Sequence, residues 1–139
     1  MIIEKIHGDF TACKVADIAD INLNAPFCFV GKTDEETSLI CMTADVPSCT
    51  VERDDGWRMM RLQGVLDFSM IGVLAKITAI LAEHSIGILA VSTFNTDYIL
   101  VKKENEDRAL SALSQNGYLV LTGNPDGDIM DRGNDNTAE

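Results

Sequence analysis

Two short strings hold most of the side chains that could do chemistry in this 139-residue chain. The first is Asp67, Phe68, Ser69, Met70, Ile71, Gly72. Asp67 and Ser69 are both good helix N-cap residues, and an apolar-rich stretch follows to His84. A helix start leaves backbone N–H groups unpaired and carries the positive end of the helix dipole, so it suits a carboxylate. Gly72 has no side chain, which lets a ligand or a neighbouring backbone come close. The same residues also have a purely structural use, as caps and as relief of crowding. The second string is Ser92, Thr93, Phe94, Asn95, Thr96, Asp97. It combines hydroxyls, an amide and one carboxylate at a hairpin end. Asp97 is the anion that an α-ammonium group would need for a charge-assisted hydrogen bond. An ordinary Asx-type turn accounts for the same residues without a ligand.

Catalytic patterns find no match. The chain has no G-x-S-x-G, no phosphate-binding glycine loop, no H-E-x-x-H and no dinucleotide fingerprint. His7 and His84 stand alone, and the many acids are scattered, so no carboxylate pair stands out. Cys13, Cys28, Cys41 and Cys49 form no C-x-x-C pair and complete no zinc-like spacing with the histidines. They read as small apolar core residues in a reducing compartment. The expectation is a protein that is not an enzyme and that needs no cofactor or metal.

Charge narrows the partners. The formal net charge is −11. The segment Asn124–Glu139 supplies five acids against one base, Arg132, so the rest of the chain is acidic too. No basic stripe interrupts this balance. Nucleic acid and anionic membrane surfaces would be repelled. No apolar run approaches the roughly 20 residues of a membrane span, and the N-terminal string MIIEKIHGDF lacks a signal-peptide apolar region. The expected location is the cytoplasm. Hydrophobic residues make up 46% of the chain, enough for an ordinary core without staples.

The elements that must position the two strings follow from the hydrophobic pattern. Met1–Ile6 and Thr11–Val15 read as strands around a turn at Gly8 and Asp9. Ala16–Asn24 holds at most a turn of helix. Pro26–Gly31 and Thr37–Thr43 read as strands joined by the polar Lys32–Glu36. Val46–Gly56, with Pro47 and Asp54-Asp55-Gly56, reads as a connection. Trp57–Leu66 is a strand, residues 70–84 a helix, and Ile86–Thr93 and Tyr98–Lys102 a hairpin. Glu104–Asn116 is a second helix stopped by Asn116-Gly117, and Tyr118–Thr122 is a closing strand. Residues 124–139 read as a disordered acidic tail.

The order over residues 57–123 is β-α-β-β-α-β, the α+β, ferredoxin-like unit: four antiparallel strands with two helices on one face. Residues 1–50 read as a degenerate copy without the second helix and the last strand. In the first helix Met70, Leu74, Ile77 and Leu81 form the sheet-facing stripe. Val73 and Ile80 fall on another side, beside Lys76 and Glu83. They suggest a second packing surface, with two stray exposed residues as the plainer alternative.

The stretch IGVLAKITAILAEHSIGILAVST resembles the core of ACT domains, with a helix entered through a glycine, a Leu-Ala-Glu near its end and an apolar strand. TDEETSL, LDFSMIGVL and STFNTDYILVKKE are similar to small ACT-like proteins related to aspartokinase regulatory regions and cytosolic arginine sensors. The resemblance covers about residues 26–120. It implies a regulatory module that binds an amino acid or similar metabolite where ACT units meet, with Asp67–Gly72, Ser92, Thr93, Asn95 and Asp97 lining the site. It also implies a homodimer and a regulated enzyme as partners; the alternative is an interaction module without a working ligand site. One departure stands out: where ACT sequences place a glycine after the helix, this chain has Ser85, with Gly87 left to supply a positive φ.

Overall fold

Alternation of apolar residues builds the strands, and the computed structural model describes residues 1–63 and 72–123. The elements are β1 (Ile2–Val15), a 3-10 turn (Ile18–Asp20), β2 (Cys28–Lys32), β3 (Thr37–Met42), a 3-10 turn (Thr43–Asp45) and β4 (Glu52–Leu62). After them come α1 (Val73–Glu83), β5 (Ile88–Ser92), β6 (Asp97–Lys102), a 3-10 turn (Lys103–Asn105), α2 (Glu106–Gln115) and β7 (Leu119–Leu121). Two compact units result: Met1–His7 with the described part of Arg58–Glu139, and Gly8–Trp57.

In the first unit the strands run β7-β1-β4-β6-β5, with β1 and β4 contributing Ile2–His7 and Arg58–Leu62. Strands β5 and β6 are antiparallel, with Ser92 opposite Asp97. Both helices pack on one face: Ile77 and Leu81 of α1 and Ala109, Leu110 and Leu113 of α2 share a core with Ile3, Met60, Leu62, Ile99, Val101 and Val120. Those strand residues sit at alternate positions, as a single covered face requires. The i, i+4 pair Ile77 and Leu81 makes the buried stripe of α1. Val73 and Ile80, expected to face a second surface, are partly buried against this same core. Ile80 also lines a groove with Lys76, Ala79, Gly117 and Tyr118. Leu74, expected on the buried stripe with Ile77 and Leu81, is only partly buried, like Val73 and Ile80, so one wide apolar face of α1 meets the core.

The four strands of residues 57–123 do not form a sheet by themselves. The closing strand β7 pairs in parallel with β1, Ile2 opposite Leu119 and Glu4 opposite Leu121, and β1 lies between β7 and β4. Ile3, fully buried, fills the position that a self-contained four-stranded unit would leave to its own strands. The backbone of Ile2 accepts a hydrogen bond from Gln63, and Glu4 pairs with Arg61 at 3.0 Å, which ties β1 to the end of β4.

The turn expected at Gly8 and Asp9 is absent. Strand β1 continues through Gly8, whose φ of +124° is one that glycine adopts at no steric cost. Strand β4 likewise begins at Glu52, inside the stretch read as a connection. Helix α1 ends with Ser85 at φ +57°, so Ser85, not Gly87, takes the left-handed position. The backbone N–H of Ile86 closes the end on Leu81, and Arg108 donates to the carbonyl of His84 at 2.7 Å.

The second unit holds β2, β3 and the parts of β1 and β4 from Gly8 to Val15 and Glu52 to Trp57, in the order β2-β3-β1-β4. Cys13, Val15, Ile21, Leu39 and Cys41 make its core, with Cys28, Val30 and Val46 packed on it. Phe10 and Phe27 meet edge-on at 5.7 Å. Thr11 is fully buried, its hydroxyl hydrogen-bonded to Thr43 at 2.8 Å and to the Asp55 carboxylate at 2.6 Å. The carboxylate in turn accepts from Arg53.

Candidate functional site

The hairpin β5–β6 closes through Thr93 and Thr96. The backbone N–H and the hydroxyl of Thr93 both donate to the Thr96 carbonyl at 2.9 Å. Thr96 is only 6% exposed, and its hydroxyl donates to the carbonyl of Leu62 at 2.6 Å. Leu62 is the last residue of β4, immediately before the connection that leads into α1. One buried hydrogen bond therefore pins the hairpin end to the exit of β4. Sequence reasoning left Thr96 out of the nominated residues. Its signal was its place as fourth residue of a turn that opens on another threonine.

Asp97 follows directly. It is half-buried and lies two and four positions before Ile99 and Val101, so it shares their helix-covered face of the sheet. Its carboxylate makes no ion pair or side-chain hydrogen bond with any described residue. Ser92, Thr93 and Asn95 are exposed around it, and Phe94 is 81% exposed at the tip. On the opposite face, Arg61 pairs with Glu4 and lies 5.9 Å from the ring centre of Tyr98. Its hydrogen bond with Tyr98 is the largest influence and holds the guanidinium above its ordinary pKa; desolvation opposes this, and Glu4 adds a smaller upward push.

Of the other string, Gly72 is the described member, and Asp67, Phe68, Ser69, Met70 and Ile71 lie outside the described residues. Gly72 occupies the N-cap position of α1 at φ +81°, with no side-chain cap, where Asp67 or Ser69 was expected. Its carbonyl accepts the first helical hydrogen bond, from Lys76 at 3.0 Å. Among the described residues nothing lies within 4 Å of where a side chain at Gly72 would begin. The first turn of an α-helix has N–H groups without intrahelical partners, and Gly72 supplies no side-chain cap for those of α1.

The two histidines serve the backbone. His84 Nδ1 contacts the carbonyl of Ile80 at 3.0 Å, and His7 Nε2 contacts the carbonyl of Thr122. Among the described residues no three His, Cys, Asp or Glu side chains are arranged to hold a metal ion. No helix there is long and apolar enough to cross a membrane.

A sheet with two helices on one face is a ferredoxin-like α+β fold. The family model of the ACT domain matches residues 52–115. ACT domains are in general regulatory modules. A solved protein from Agobacterium tumefaciens is similar at 25% identity and TM-score 0.77, over 86% of this chain and 91% of that one. A protein of unknown function from Vibrio cholerae, described as a possible transport protein, superposes at TM-score 0.64 and 21% identity, over 82% and 88%. The alpha and beta subunits of an aspartokinase share the fold at TM-score 0.56 and 18% identity, over 83% and 96%. No curated protein matches the sequence.

Proposed function

We propose that this chain is a non-catalytic regulatory module that binds a free amino acid, or a close analogue, between the Asp67–Gly72 segment and the Ser92–Asp97 hairpin end. The carboxylate of the ligand takes N–H groups at the start of α1, and its ammonium group meets Asp97. The observation that carries this reading is the hydrogen bond from Thr96 to Leu62, because it holds the hairpin end that carries Asp97 against the last residue of β4. The unpartnered carboxylate of Asp97 among the described residues supports it. The site is completed against a second ACT unit, from another copy of the chain in a homodimer, and ligand binding reports metabolite level to a regulated enzyme in the cytoplasm. Residues 1–50 are read as a degenerate ACT-like unit, and residues 124–139 as an acidic tail whose removal from about Asp126 onward leaves the melting temperature unchanged.

Calorimetry with the common amino acids tests the reading. One of them should bind, and should raise the melting temperature by the mass-action increment of a native-state ligand. Asp97→Ala should weaken that binding by roughly 1.5–3 kcal/mol, the worth of a hydrogen bond to a charged group, with the fold unchanged. Equal affinity in the variant removes Asp97 from the site. A second reading, a protein-interaction module, is favoured by the exposure of Phe94 at the hairpin tip. Absence of binding by any amino acid moves the preference there.

A further inference from the structure

All four cysteines fall in the Gly8–Trp57 unit, and three of them share one face of its sheet. Cys28 on β2 stands directly opposite Cys41 on β3. Cys41 stands opposite Thr11 on its other side, and Cys13 stands opposite Leu39, one diagonal step from Cys41. The phase of the β2–β3 ladder decides which pair can bond. Thr33 donates to the carbonyl of Glu36 at 2.9 Å, so Thr33 and Glu36 form a hydrogen-bonded pair. Antiparallel pairs alternate between hydrogen-bonded and non-hydrogen-bonded. The register runs without a bulge from Lys32 opposite Thr37 to Cys28 opposite Cys41. Cys28 and Cys41 are therefore a non-hydrogen-bonded pair, whose Cα atoms lie about 4.5 Å apart in such ladders. That falls within the roughly 4.4–6.8 Å a disulfide spans, whereas the diagonal Cys13–Cys41 separation of about 7–8 Å does not.

We infer that Cys28 and Cys41 are an oxidisable dithiol, closed to a disulfide by exchange with a small-molecule disulfide of the oxidised-glutathione type. Cys28 is half-buried on an edge strand and is the point of entry; Cys41 is buried. The Cys28 thiolate attacks one sulfur of the small disulfide, forming a mixed disulfide and releasing one small thiolate. The Cys41 thiolate then attacks the Cys28 sulfur, forming the Cys28–Cys41 bond and releasing the second small thiolate. The two protons lost by the protein thiols end on the two released thiols, and the protein is oxidised by two electrons as the small disulfide is reduced. Burial pushes the Cys28 thiol up, helped by the Asp45 carboxylate, and pushes Cys41 up to about 12. Both thiols are thus protonated at neutral pH, and the exchange accelerates as pH rises.

The test uses the full chain carrying Cys49→Ser, which removes the exposed thiol and its intermolecular side reactions. Incubation with oxidised glutathione at mildly alkaline pH should lower the free thiols, counted after unfolding, from three to one. Peptide mapping should join Cys28 to Cys41. Cys28→Ser in the same background should lose the intramolecular bond while keeping a native circular dichroism spectrum. Three persisting thiols in folded protein, a mapped bond to Cys13, or a bond between two chains would each overturn the inference.

Discussion

The hairpins β2–β3 and β5–β6 are built alike, sixty positions apart. Thr33 donates to Glu36 and Thr93 to Thr96, both at 2.9 Å. Each second strand then enters a 3-10 turn, through Met42 at φ −62°, ψ 142° and Lys102 at φ −62°, ψ 145°. The chains part at the next residue. Val46 is extended at φ −65°, ψ 130°, whereas Glu106 is helical at φ −59°, ψ −51° and opens α2. The residue after Val46 is Pro47, which disfavours the helical region for its predecessor; the residue after Glu106 is Asp107. The partners differ accordingly. Val46 packs on the small core of Cys13, Leu39 and Cys41. Glu106, almost fully buried, pairs with Arg58 at 3.2 Å and Lys5 at 3.5 Å. A similar contrast holds earlier in each unit. The connection from β1 to β2 spans residues 16–27 with one 3-10 turn, while that from β4 to β5 holds the eleven residues of α1. One hairpin plan thus serves a helix-covered unit and, in Gly8–Trp57, a sheet without an α-helix.

The largest test of this difference is in the cores. Leu113 is fully buried between α2 and the strands of its unit, and Leu39 is as deeply buried among fewer partners. Leu113→Ala should cost about 3–4 kcal/mol of stability and Leu39→Ala about 2–3 kcal/mol, measured by urea unfolding. If the two costs come out in reverse order, Gly8–Trp57 is the better-packed unit and the comparison fails.

Exchanging the residues that follow the 3-10 turns probes the branch point itself. Asp107→Pro should force Glu106 toward extended geometry, loosen its ion pairs and cost roughly 2–3 kcal/mol. Pro47→Ala should change stability by less than about 1 kcal/mol, because no helix there depends on it. Circular dichroism should show helix loss in the first variant and no gain in the second. A marked helix gain in Pro47→Ala would mean that proline alone holds the second unit open.

Much of this architecture was legible from local pattern, and the misses share one cause. The hairpin turns, the stop at Asn116-Gly117 and the stripe of Ile77 and Leu81 are short-range signals, and the structure has them where the residues pointed. Strand β1 was read as two because Gly8 looks like a turn when only its neighbours are considered. Its positive φ sits inside a strand whose pairing is set by residues far along the chain. The parallel pairing of β7 with β1 joins residues more than a hundred positions apart, beyond any window of periodicity. The same holds for the hydrogen bond from Thr96 to Leu62: the turn marks Thr96 locally, but its partner lies 34 positions away. Within that site Asp97, expected in the turn, opens β6 opposite Ser92, and the N-cap fell on Gly72 rather than on a side-chain acceptor.

The smallest expected effect is a pH response confined to one unit. All the thiols belong to Gly8–Trp57, so only that unit has a cysteine titration. Cys41 is raised from its ordinary 9.0 to about 12, first by burial and then by Cys13 and Asp45. The protonated thiol is thus the form the fold favours. Its contribution is complete below pH 9, the unfolded value, and drains away as pH climbs toward 12. By pH 10, one unit above the ordinary value, the loss is at most about 1.4 kcal/mol. Urea unfolding between pH 8 and pH 10 should show a falling stability, and Cys41→Ala, though less stable overall, should show a flatter profile over the same range. A variant that loses stability as steeply as the parent would place the alkaline slope on other groups, and the chemical difference between the two cores would then carry no pH signature.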